Sequence, residues 1–174
     1  MNLQQIRQKT AYNPNAKITH KQATRSWLTG KYREYQLALT LTIKQSIEIT
    51  NANGTYYKRL DRDDIKRIAT HFTHKLNKQV FGVSAAKSGK KSLKYFVVIE
   101  GERTFKNLHL HIAIGGLDKN TKWNKFEELV RNAKSSVKEL DEQHDLQIMD
   151  SGWLEYITKE LGTRDTDNVL WELA

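Results

Sequence analysis

Tyr95-Phe-Val-Val-Ile-Glu100-Gly-Glu-Arg-Thr-Phe-Lys-Asn107-Leu-His109-Leu-His111-Ile-Ala-Ile114-Gly-Gly116 is the stretch on which the fold turns. Two apolar runs flank a polar segment, the pattern of two antiparallel strands joined by a loop. Side chains alternate across a strand, so His109 and His111 project to one face while Leu108, Leu110 and Ile112 project to the other. Glu100 closes the first run, nine residues before His109, and pairing of the runs sets its carboxylate across from the imidazoles. Two readings stand here. Strand histidines are often hydrogen-bonded packing; two imidazoles and a carboxylate on one face also make a divalent-metal site with room for substrate.

The composition narrows the partner. A chain of 174 residues, 38% of them hydrophobic, is one domain's worth of sequence with enough apolar content for a core. The formal charge of +9 points to an anionic partner, nucleic acid ahead of acidic membrane. No run approaches the roughly 18 apolar residues of a membrane span, and the N-terminus lacks the apolar centre of a secretory signal. Cysteine is absent, which excludes disulfides and thiolate chemistry and fits a cytoplasmic protein.

Along the chain, residues 1–35 read as a basic arm carrying Pro14, Lys17, Lys21, Arg25, Lys31 and Arg33, with Trp27 and Leu28 for packing and His20 without a role. The arm is either surface packing or a set of phosphate contacts. The domain proper is expected over 36–174. Leu37-Ala-Leu-Thr-Leu-Thr-Ile43 alternates as a central strand, continuing to Ile47 and Ile49 and turning at Asn53-Gly54. Thr40 and Thr42 share a face and read as strand formers ahead of hydroxyls offered to a bound strand. Asp61-Arg-Asp-Asp64 opens a helix that ends before Gly82, with His71 and His74 on its solvent face. Lys87-Ser-Gly-Lys-Lys91 is a basic turn, expected as a solvated loop and as a phosphate clamp beside the site. A helix is expected from Trp123 to Leu140, a strand from Asp145 to Met149, and a last helix from Gly152 to Leu161, capped by Ser151 and stopped by Gly162. On that helix Tyr156 and Lys159 lie three apart and share a face. Taken alone they are a boundary tyrosine and a snorkelling lysine.

Taken in order, the strand Leu37–Thr42, the hairpin with Glu100 and His109-Leu-His111, and Tyr156-Ile-Thr-Lys159 resemble the HUH endonuclease superfamily. The resemblance covers about residues 35–162 and is strongest to the single-tyrosine replication initiators of rolling-circle plasmids and small single-stranded DNA viruses. It implies an α+β fold, with a central antiparallel sheet of about five strands flanked by helices and related to the RNA-recognition fold. It implies Mg²⁺ or Mn²⁺ held by Glu100, His109 and His111, with Glu102 replacing Glu100 if the hairpin slips by two, and Asp150 as a further acidic candidate. Tyr156 is then the nucleophile on single-stranded origin DNA, hairpin-forming or not, giving a free 3′-hydroxyl and a 5′-phosphotyrosine. Lys159 orients the phosphate. A tyrosine's ordinary pKa near 10 makes such help necessary.

The family pattern also implies a helicase and replication machinery supplied separately, since no helicase segment follows the tyrosine helix here. No third histidine stands where relaxases carry one, and the lysine after the tyrosine fits initiators better than transposases. The competing expectation is a non-catalytic binder of single-stranded nucleic acid that stacks bases on Tyr95 and Phe96 of an RNA-recognition-like sheet.

Overall fold

The computed structural model describes residues 20–101, 107–159, 161 and 168–174. Helix α1 (His20–Lys31) and a 3₁₀ turn (Tyr32–Glu34) lead into β1 (Tyr35–Ile43). A hairpin of β2 (Ser46–Asn51) and β3 (Gly54–Arg59) follows, then α2 (Arg62–Phe81) and the short α3 (Val83–Lys87). The chain continues through β4 (Lys94–Glu100), β5 (Leu108–Gly115), α4 (Trp123–Ser135), β6 (Leu140–Ile148), α5 (Ser151–Ile157) and a 3₁₀ turn (Trp171–Leu173). The architecture is α+β. No described helix is long and apolar enough to cross a membrane.

Among the described residues the main sheet has four antiparallel strands in the order β4-β5-β1-β6, one fewer than the resemblance implied. The strand continuing past Ile43 leaves the sheet instead of extending it: β2 and β3 pair only with each other, turning at Asn53-Gly54 as the sequence predicts. Ile47 and Ile49 alternate with polar residues, and both strands are largely exposed, so the ribbon has little apolar face to bury. The outer edge of β4 is instead covered by the tail, where Val169 bridges Val98 and Ile99 N–H donates to the Asn168 carbonyl at 2.8 Å.

The two faces of the sheet have different tasks. Leu37, Leu39, Leu41, Val97, Ile99, Leu110 and Ile112 pack under α2 and α4, whose Ile65, Phe72, Phe126 and Val130 complete the larger core. Asp61 and Asp64 start α2 with a reciprocal cap, and Asp64 also accepts from Lys58 and Arg67. Those bonds, Lys58 foremost, hold the Asp64 carboxyl down at about 2. The opposite face carries the smaller Ala38, Ala113 and Val98, and there α1 and α5 dock through Leu28, Trp153 and Ile157. Residues 20–34 of the basic arm are thus packed against the sheet.

Two helices are shorter than their apolar spacing suggests. α4 stops at Ser135 because Ser135 and Ser136 turn their hydroxyls back to the Asn132 carbonyl, which frees Leu140 to begin β6 opposite Ile43. α5 is capped by Asp150 rather than Ser151, its side chain accepting from Trp153 N–H at 2.8 Å. It ends at Ile157, where the Thr158 hydroxyl bonds back to the Leu154 carbonyl at 2.8 Å.

The start of β1 crosses the end of β5 so closely that only glycine fits at Gly115. A Cβ there would overlap the Glu34 carbonyl oxygen and lie 2.9 Å from its carbon, at the point where the β1–β5 register shifts. Both groups are backbone, so the strain cannot relax by a rotamer change. Gly115→Ala should cost about 3 kcal/mol in urea unfolding, and an unchanged midpoint and slope would refute the close crossing.

Candidate active site

β4 and β5 pair so that Glu100 is the direct partner of His109, and Val98 of His111. All three polar side chains therefore lie on the α5 side of the sheet. Glu100 and His111 are both buried, 6% and 3% exposed, while His109 is half-buried with its ring stacked 6.2 Å from that of His111. The Glu100 carboxylate accepts at both oxygens: from His111 Nε2 at 2.6 Å on Oε2 and from Lys159 Nζ at 2.9 Å on Oε1. An ionised carboxylate can only accept, so His111 carries its hydrogen on Nε2. Its Nδ1 then accepts from the Thr40 hydroxyl at 3.0 Å, across the β1–β5 pair in which Thr40 faces His111.

Charge and burial compete here, and charge wins at two of the three groups. Burial pushes the Glu100 carboxyl up, but the bonds from Lys159 and His111 outweigh it and hold it at about 2. Burial drives Lys159 down, yet its bonds to Glu100 and Tyr156 leave it above its ordinary value. For His111 burial dominates and keeps the ring below its ordinary value, against the pull of Glu100. The resting arrangement is a neutral imidazole between a hydroxyl and an anion, with one ammonium balancing the carboxylate.

Tyr156 reaches this group from α5. Its ring meets His111 edge-on at 5.1 Å, 84° between planes, and Lys159 Nζ stands 3.6 Å from the ring centroid. Trp153 packs edge-on against the same imidazole at 6.3 Å. With 46% of its surface exposed, Tyr156 is open to solvent, unlike Glu100 and His111 beneath it. The segment is clamped from α1: Arg25 donates to Thr158 Oγ1 at 2.8 Å and Lys21 to the Lys159 carbonyl at 2.7 Å. Two of the arm's cations therefore hold the tyrosine segment in place.

The structure brings Glu100, His109, His111, Tyr156 and Lys159 together. Glu102 lies outside the described residues. Asp150 caps α5 and borders a recess of about 340 Å³ beside Tyr156, together with Asp145 and Gln147. The Lys87–Lys91 turn is not beside the site: it enters β4 at Lys94, the opposite end from Glu100, roughly 20 Å away at strand rise. His71 and His74 are exposed on α2, as expected. The partner missed in the sequence is Thr40, whose only local signal was its place on the same strand face as Thr42.

Two imidazoles and a carboxylate suit Mg²⁺ or Mn²⁺ in donor type. Among the described residues no three such groups already surround a common point, and Glu100 and His111 are bonded to each other. The Thr40 hydroxyl can donate or accept, so it supports His111 with the hydrogen on either nitrogen and leaves Nε2 available as a ligand. In donor type, though not in their present placement, the residues fit the ion. No protein family, curated protein or solved structure matches the chain.

Glu100 has a measurable consequence for stability. Its carboxyl is held at about 2 in the fold against 4.5 ordinarily, so its contribution is complete above pH 4.5 and is lost as the pH falls toward 2. Urea unfolding followed from about pH 6 to pH 3 should lose on the order of 2 kcal/mol more in the wild type than in Glu100→Gln. Parallel pH profiles for the two proteins would contradict the buried pair.

Proposed function

We propose that this protein nicks and rejoins single-stranded DNA through a covalent bond to Tyr156, as an origin-specific initiator of rolling-circle replication on a plasmid or phage. The observation that carries the reading is the packing of an exposed tyrosine against His111 and Lys159, over the sheet face that holds Glu100 and His109. In this reading the Tyr156 oxygen attacks phosphorus, the bond to the 3′-oxygen breaks, and the strand remains attached as a 5′-phosphotyrosine. The reverse attack by the 3′-hydroxyl reseals it, because the phosphotyrosyl link conserves the bond energy. Lys159 holds positive charge beside the tyrosine, where it orients the anionic phosphate and stabilises charge in the transition state. Glu100, His109 and His111 would hold Mg²⁺ or Mn²⁺, which when bound supplies Lewis-acid neutralisation of the phosphate oxygens.

The net charge of +9 supports a nucleic-acid partner. Duplex unwinding is then assigned to a separate helicase, and the place of action to the cytoplasm of the host cell. The competing binder reading is less well supported. Tyr95 and Phe96 are both buried, and the Tyr95 hydroxyl donates inward to the Thr73 carbonyl at 3.2 Å, so neither ring is presented to a base.

Incubation with a pool of single-stranded oligonucleotides and Mn²⁺, followed by a denaturing gel and mass spectrometry, should yield a DNA-linked peptide containing Tyr156. Tyr156→Phe should form no adduct while still binding DNA. Persistent cleavage by that variant would remove Tyr156 from the role. His109→Ala should weaken Mn²⁺ binding at least about tenfold, read as free Mn²⁺ by electron paramagnetic resonance. Unchanged Mn²⁺ binding would remove His109 from the ligand set.

A further inference from the structure

Tyr156 stands between two environments of opposite character. On the β4–β5 side lie Lys159, His109 and His111. On the β6 side is the recess of about 340 Å³, bordered by Thr40, Asp145, Gln147, Asp150, Trp153 and Tyr156 itself. The β1–β6 register explains its lining. Thr40 faces Asp145 and Ala38 faces Gln147, so these two β6 side chains share the catalytic face, while His144 turns the other way to meet Lys134 of α4 at 3.2 Å. Asp145 and Gln147 are exposed at the rim, and Asp150 joins them from the start of α5. Gly152 also borders the recess, and a Cβ there would lie 3.4 Å from Asp150 Oδ1.

The lining contains two carboxylates, an amide and the hydroxyls of Thr40 and Tyr156, and neither lysine nor arginine. That chemistry repels phosphate and has acceptors in excess, so the group it suits is neutral, planar and rich in donors. Resting on the proposed DNA-nicking reading, we infer that this recess holds the nucleobase next to the broken phosphodiester and selects one with an exocyclic amino group. Adenine, cytosine and guanine carry such a group and thymine does not. Asp145 accepts from the amine, and Gln147 supplies both an acceptor and a donor for the rest of the base edge. The volume lies at the lower end of the small-molecule range and admits a base. Asp145 and Gln147 are thus specificity-determining residues outside the group that handles the phosphate.

The test uses the full chain, Mn²⁺ and a single-stranded library randomised around the cleavage site, with both attached and released strands sequenced. The wild type should disfavour thymine about tenfold at one position within two nucleotides of the break. Asp145→Ala with Gln147→Ala should flatten that position alone, with the neighbouring preferences and the attachment to Tyr156 retained. Gly152→Leu, which fills the recess without removing a polar group, should lose the same preference. Adducts whose base preferences are identical in wild type and variants would overturn the inference while leaving the nicking reading intact. Absence of any adduct from the wild type would overturn both.

Discussion

A buried carboxylate governs this molecule. Glu100 ends β4 almost out of water, where an unpaired charge would be destabilising by several kcal/mol. Lys159, from just beyond α5, balances that charge, and the neutral His111 ring of β5 donates a hydrogen bond to it. That requirement fixes much of the geometry. The β4–β5 register cannot slip by one residue without turning Glu100 into the core beneath α2 and α4. The segment carrying Lys159 must stay over the sheet, and Tyr156, three residues earlier, is carried with it. Arg25 and Lys21 tie the other side of that segment to α1, so the tyrosine is held by polar bonds from both directions.

How much of this was legible depends on the range of the interaction. Glu100, His109 and His111 lie within one hairpin, and period-two alternation alone sets them on a common face. α2 announced itself through Asp61 and Asp64, and the β2–β3 turn through Asn53-Gly54; each signal is local. Thr40 could not be read in this way. A threonine in a strand is an ordinary strand former, and its bond to His111 exists only because β1 lies beside β5, pairing residues 71 apart in sequence. The same reason hid Asp145 and Gln147, which acquire a face only through the β1–β6 register.

The misread boundaries have a different origin. Apolar spacing continued past the true ends of α4 and α5, while the serine and threonine hydroxyls that stop them compete with the backbone for the same carbonyls. β6 begins at Leu140, ahead of the expected Asp145, because it is an edge strand with mostly polar residues, stabilised by its pairing to β1 more than by burial. The sheet count fell by one because the β2–β3 ribbon turns away from it. In each case side-chain hydrogen bonding or strand partnership overrode a hydrophobic pattern.

The division of charge around Tyr156 carries the argument from fold to substrate. In a chain of net charge +9, a recess with two carboxylates and no lysine or arginine runs against the background and does not follow from composition. A single strand of DNA presents the matching alternation: an anionic phosphate every nucleotide, with a neutral, donor-bearing base to one side. On the proposed reading, Tyr156, set between an ammonium and a pair of carboxylates, offers each of those parts a distinct place. The sheet holds the two environments on one face, the Glu100–His111–Lys159 group over β4 and β5 and the acidic recess over β6, with β1 and its Thr40 between them.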